Sequence, residues 1–284
     1  MFGDACKKAM HFTRPVITSM RHYDKSVKCS CGAFVILNED GWFISAGHIF
    51  DSFMAFQEQS KGIKEMEEQN SQKVYDRNRP RVKPDSKWII NHSFWWGLDT
   101  ARAHDVFVDR KVDVMVGRLE PFDPRSIQEY PVIKDPENMK PGTSLCKLGF
   151  PFINVTATFD ETTKNFRLAE GTLPLPLFPL EGMHTRNIAQ GKSMDGSVDI
   201  LYVETSSPGI KGQSGGPIFD KDCNICGIQL RTNHMPLGFK PEASVDGKKV
   251  VENQFINLGV GLHAKTIVDI LRKRNVEFTM EGDI

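Results

Sequence analysis

Gly212-Gln213-Ser214-Gly215-Gly216-Pro217 sits between Ile210-Lys211 and the apolar run Ile218-Phe219. Glycines this close to a serine let the backbone turn tightly, because a residue without a Cβ tolerates positive φ and clears space for close approach. Acyl transfer requires such a setting. The hydroxyl must stand clear of its neighbours, and two backbone N–H groups must converge where a tetrahedral intermediate places its negative oxygen. The amides of Gly212 and Ser214 are the candidates for that oxyanion hole. The plainer reading of the same six residues is a glycine-rich turn that leads into a strand.

A hydroxyl nucleophile needs an adjacent base, itself oriented by a third group. Ile44-Ser45-Ala46-Gly47-His48 ends an apolar strand on a histidine, and Val112-Asp113-Val114-Met115-Val116 puts an aspartate at the head of another. With Ser214 the order is His, Asp, Ser, one of three unrelated orders in which triad geometry occurs. Asp105, in His104-Asp105-Val106-Phe107-Val108-Asp109, also precedes alternating apolar residues and competes with Asp113 for the acid.

Ser45-Ala46-Gly47-His48, the run from Asp113 to Leu119, and Gly212 to Pro217 resemble the three signature segments of trypsin-like, chymotrypsin-fold serine proteases. Thr205 to Pro217 runs in register with the nucleophile loop of the bacterial, HtrA-like branch. Met115 stands where that family usually has a small residue and Gly117 where it has a bulky one. The resemblance implies an all-β fold of two six-stranded antiparallel Greek-key β-barrels, with a C-terminal α-helix and a partly helical insertion. It divides the chain into an N-terminal barrel over 1–120 with an insertion over 51–100, an inter-barrel linker over 121–141, and a C-terminal barrel over 142–284.

The same resemblance implies a serine endopeptidase with His48, Asp113 and Ser214 as catalytic residues and no cofactor or metal. It frames the pocket for the residue before the scissile bond by Pro208, Gly209, Gln229, Leu230, Arg231 and Val260. No carboxylate stands where trypsin selects Lys or Arg, so small or apolar side chains are expected, with Arg231 as the alternative that recruits an acidic one. Gln213 stands where secreted zymogens carry an aspartate that captures a new N-terminus, and a neutral amide forms no such ion pair. Control by an activating protein partner, or by ordering of the active-site loops, is expected instead. The competing class is a trypsin-fold scaffold that binds peptides without cutting them.

Composition narrows the partners. Of 284 residues, 39% are hydrophobic and 25% charged, ordinary for a globular protein, and 36 basic residues balance 36 acidic ones. No global field draws the chain to nucleic acid or an anionic membrane. Met1-Phe-Gly-Asp-Ala-Cys-Lys-Lys leads into no apolar h-region, and no run of about 18 apolar residues occurs, so a cytoplasmic chain with thiol cysteines is expected. Cys29-x-Cys31 and Cys223-x-x-Cys226 together could supply four thiolates to zinc, but they fall in different barrels of the expected fold. The basic stretch from Lys73 to Lys87 is read as a solvated loop, since no aromatic platform is interleaved in it as single-strand nucleic-acid binders require.

Local patterns place the elements. Cys31 to Leu37 and Trp42 to Ser45 read as a hairpin around Asn38-Glu39-Asp40-Gly41. Pro15 to Thr18 is a candidate first strand, and Ser60 to Lys73 a solvated helix or loop. Ala169 to Leu180 carries prolines at 174, 176 and 179, which argue against a helix or a central strand. Val198 to Thr205, Ile225 to Thr232 and Asn257 to His263 read as strands, Asn233 to Asn253 as a long loop, and Ala264 to Arg274 as a docked helix with apolar residues at 267, 268, 270 and 271.

Overall fold

The computed structural model describes residues 2–72, 82–239, 242–245, 248–251 and 254–283. Lys73, Arg77, Arg79 and Arg81 of the basic stretch lie outside them. The described chain opens with α1 (Gly3–Phe12), whose Ala5, Ala9 and Phe12 share one face and are buried. The Thr13 hydroxyl donates to the Ala9 carbonyl at 2.7 Å where the helix gives way to strand. This helix was not legible in the mixed composition of the first residues.

Six strands follow: β1 (Thr13–His22), β2 (Val27–Ile36), β3 (Trp42–Ala46), β4 (Ile89–Trp95), β5 (Arg102–Asp109) and β6 (Val114–Glu120). They hydrogen-bond antiparallel in the order β4-β1-β2-β3-β6-β5, a Greek-key permutation. The expected hairpin is β2–β3, with Gly41 at φ +80° in its turn. Val16, Phe34, Ile36, Phe43, Met115 and Leu119, all buried, form the core of this unit, and Trp96 packs edge-on against Phe34. Between β3 and β4, the expected insertion holds α2 (Asp51–Gln72), packed against β4 through stacked Phe56 and His92.

The second unit contains β7 (Val132–Ile133), β8 (Ser144–Gly149), β9 (Ala157–Asp160), β10 (Asn165–Leu168), β11 (Phe178–Lys192), β12 (Asp199–Thr205), β13 (Pro217–Phe219), β14 (Asn224–Pro236), β15 (Glu242–Val245), β16 (Lys248–Val251), β17 (Phe255–His263) and β18 (Thr279–Met280). Its ring runs β13-β8-β11-β12-β17-β14 and closes because β13 also pairs with β14. That is the permutation of the first unit repeated. The fold is all-β, with two curled six-stranded antiparallel units as expected. β7 then adds to β14 in parallel and β18 adds in parallel to β7, so the proline-rich stretch before β8 is stitched to the second sheet rather than merely spanning between sheets.

Pro179 lies inside β11, in a segment expected to be neither helix nor central strand, and the structure agrees with both exclusions at that point. Residues 178–183 of β11 pair only with β8, and the β12 ladder begins at His184, so Pro179 occupies a one-sided stretch where a missing N–H is tolerated. The Asn233 to Asn253 segment is not simply a loop: β14 continues to Pro236 beside β17, and β15 pairs with β16. The C-terminal helix α3 (Ala264–Lys273) buries Ile267, Val268, Ile270 and Leu271, as the pattern indicated.

Candidate active site

His48 is separated from the end of β3 by one residue, in a 3-10 turn over Gly47–Phe50 whose entry depends on Gly47. A Cβ on Gly47 would fall 2.9 Å from the Val114 nitrogen, and the Gly47 N–H donates to the Asp113 carbonyl at 3.0 Å. The histidine is thereby held against the residue that precedes β6. Asp113 Oδ1 accepts the His48 backbone N–H at 2.8 Å, and its two oxygens lie 3.1 and 3.0 Å from His48 Nδ1. Hydrogen bonding to Asp113 raises the His48 pKa above its usual 6.5; burial opposes this, and the charges of Asp113 and Asp51 reinforce it. Asp51 is itself paired with Arg110 at 2.6 Å.

Asp113 adopts φ +63°, a conformation uncommon outside glycine. The preceding turn is fixed by the buried Asp109 carboxylate, which accepts N–H groups from Lys111 at 2.9 Å and Val112 at 3.0 Å, and from Met194 of the second unit at 3.0 Å. Asp105, the competing acid, is half exposed and pairs with Arg118 at 3.2 Å; it has no contact with His48.

Ser214 is delivered by the turn before β13. The Gln213 N–H donates to the Ile210 carbonyl at 2.8 Å, and Gly212, third in that four-residue turn, has φ +99°, as a type II turn demands. The fully buried Gln213 side chain braces the turn by accepting the Ile210 N–H at 3.0 Å. Among the described residues, the N–H groups of Gly212 and Ser214 donate to no protein acceptor. The loop then docks on the first unit: the Ala33 N–H donates to the Ser214 carbonyl at 2.8 Å. Gly215, at φ +83°, makes this approach feasible, since a Cβ there would lie 2.0 Å from the Ala33 carbonyl oxygen. The Ser214 hydroxyl donates to the Leu230 carbonyl at 3.3 Å, and no hydrogen bond joins it to the His48 ring among the described residues.

The expected pocket residues are drawn together around the same loop. The Gly209 carbonyl accepts the Thr232 hydroxyl at 2.6 Å, and the Gln229 amide donates to the Arg231 carbonyl at 2.9 Å and the Val260 carbonyl at 3.2 Å, leaving its buried Oε1 without a donor. The Arg231 guanidinium is turned over the Tyr202 ring, 4.8 Å from its centroid. Pro208 offers its carbonyl to a residue the sequence reading did not single out, Lys147. That lysine is wholly buried, and its Nζ donates to Thr205 Oγ1 at 3.0 Å, Ser207 O at 2.6 Å and Pro208 O at 2.8 Å. The signal available was a lysine inside the apolar strand Leu145-Cys146-Lys147-Leu148-Gly149.

A cavity of about 410 Å³ opens beside Gly212, lined in part by Cys29, Cys31, Phe150 and Phe152. Cys29 Sγ sits 3.5 Å from the Ser19 hydroxyl, while Cys223 and Cys226 are buried in the second unit. Among the described residues, no group of three or more His, Cys, Asp or Glu is placed to hold a metal ion.

No curated protein sequence matches the chain. Among solved structures, the Rv3671c protease from M. tuberculosis in its active form is similar at 14% identity and a TM-score of 0.49, over 97% of this chain and 86% of that one. The HtrA-type protease AlgW, a variant with a tripeptide, is similar at 12% identity and a TM-score of 0.50, over 96% of this chain and 63% of that one. At such identities the likeness is one of fold. The model of the trypsin-like peptidase domain matches residues 31–228, and the chain belongs to that family.

Proposed function

We propose that the protein is a serine endopeptidase in which Ser214 attacks a peptide carbonyl, His48 takes and returns the proton, and Asp113 holds the imidazole. The observation that carries this reading is the double attachment of His48 to Asp113, together with a turn whose Gly212 and Ser214 amides have no protein acceptor among the described residues. The carboxylate fixes Nδ1 as the protonated nitrogen, which leaves Nε2 as the base. For that transfer the hydroxyl gives up the Leu230 carbonyl and takes the imidazole as acceptor of its proton. The two amides then receive the oxyanion, in a site where such donors are worth about 2.7–4 kcal/mol each. An extended substrate lies along β14, where main-chain hydrogen bonds supply affinity and side-chain pockets selectivity.

A second reading rests on one observation: the hydroxyl is engaged with Leu230 rather than His48, as in a peptide-binding scaffold that does not cut. A fluorophosphonate probe, which reacts only with an activated serine, separates the two. Labelling of the wild type and not of Ser214→Ala establishes the nucleophile. A wild type that stays unlabelled, with its fold intact by circular dichroism, gives the site to the scaffold.

A further inference from the structure

The chain treats its two most buried lysines differently. Lys134 lies between two carboxylates, Asp220 at 3.0 Å and Glu281 at 2.6 Å, and its ammonium is held firmly charged. Lys147 is more deeply buried, yet among the described residues it forms no ion pair at all. Its three protons go to one hydroxyl and two backbone carbonyls, all between Thr205 and Pro208. A buried cation without a counter-charge is normally avoided, because its lost hydration is only partly replaced by neutral dipoles. Burial accordingly pushes the Lys147 pKa down to about 7.

Its location gives that imbalance a use. Ser207 and Pro208 belong to one wall of the pocket for the residue before the scissile bond, and Gly259 lies in the facing strand next to Val260. The Gly259 N–H donates to the Ser207 carbonyl at 2.9 Å, and a Cβ on Gly259 would come 2.7 Å from Lys147 Nζ. Glycine therefore leaves only backbone between the ammonium and that strand. Polar groups of Gln229 and Thr232 continue the same wall.

We infer that Lys147 is a specificity-determining residue, and that the substrate supplies its missing counter-charge as an acidic side chain, glutamate or aspartate, immediately before the scissile bond. This rests on the proposed peptidase reading. It departs from the small or apolar preference that the absence of a trypsin-type carboxylate suggests, and it moves the recruiting cation from Arg231 to the pocket floor. A carboxylate takes the place of one of the two carbonyls at Nζ and restores a charge-assisted pair.

The test uses fluorogenic peptides that differ only in that residue: Glu, Asp, Gln, Ala, Leu and Lys. Glu and Gln are nearly isosteric, so their ratio of kcat/KM reads the charge alone. The full chain should prefer Glu to Gln by tenfold or more, equivalent to about 1.4 kcal/mol, and to Ala and Leu by more. Lys147→Met should bring the Glu to Gln ratio near one. Lys147→Arg, which keeps the charge, should retain the preference, and the wild-type ratio stands by itself if either variant fails to fold. Preference for Ala or Leu in the wild type overturns the inference. Equal cleavage of Glu and Gln also overturns it, because a pocket in which Lys147 supplies the counter-charge must tell them apart. Fluorophosphonate labelling run in parallel distinguishes the failures: a labelled enzyme without acidic preference sinks this inference alone, whereas an unlabelled one sinks it together with the peptidase reading.

Discussion

Replacing Asp113 with asparagine tests the geometry at the level of a single proton. Asp113 Oδ1 is committed to the His48 backbone N–H at 2.8 Å, a donor that cannot be reoriented. The asparagine oxygen must take that place, which puts its NH2 where Oδ2 now lies, 3.0 Å from His48 Nδ1. A donor in that position obliges Nδ1 to accept, and the neutral ring then carries its proton on Nε2. The nitrogen that should receive the Ser214 proton is blocked. The fold is unaffected, because both hydrogen bonds survive with one reversed. Loss of the correct tautomer in a triad of this type lowers turnover about 10⁴-fold, which is about 5.4 kcal/mol in activation free energy. The substitution also removes the hydrogen bond that is the main cause of the raised His48 pKa and leaves the opposing burial, so that pKa should fall. Measurement of kcat/KM on a peptide substrate, with an NMR titration of the His48 ring, checks both. A loss below tenfold, or a His48 pKa that does not move, would refute the assignment of Asp113.

Gly215→Ala should destabilise the protein by about 3 kcal/mol or more, since the new methyl group meets the Ala33 carbonyl oxygen at 2.0 Å and Ser45 Oγ at 2.2 Å in a left-handed conformation. Denaturant midpoints with an unchanged m-value would register it, and a loss under 1 kcal/mol would mean that the two units do not meet as described. The activity of the wild type should rise with pH on a limb centred above 6.5, because the Asp113-bonded imidazole acts as base only when neutral. The linked stability has the opposite sense: a raised folded-state pKa contributes stability that is fully present below 6.5 and lost as pH rises through the folded value. A rising limb below 6.5 would contradict the pairing.

The candidate site residues were legible because the chemistry proposed for them is restricted to few residue types at fixed backbone positions. Gly47, Gly212 and Gly215 each stand where a Cβ would strike backbone within 3 Å, and that necessity is written in the sequence as glycine beside histidine or serine. In the second unit β12, β14 and β17 were legible as strands, β12 by its alternation. α1 was not, since three small or aromatic residues on one face of ten leave little pattern, and its stability comes from the sheet beneath it. β7 and β18 are two residues each, too short for a pattern, and form only because β14 offers an edge to β7 and β7 in turn offers one to β18. Lys147 was invisible for a related reason. A lysine within an apolar strand reads as a surface position until the carbonyls that surround it are known.

The hydrogen bond from Ala33 to the Ser214 carbonyl, and the closing of the second ring by β13, β14 and β17, set the order in which the site can come into being during synthesis. His48 and Asp113 leave the ribosome early, in a sheet complete by Glu120, while the strand that closes the second ring ends at His263. On the proposed reading, Ser214 is therefore the last of the three groups to be seated, and the growing chain carries His48 and Asp113 for more than half its length before the third can join them.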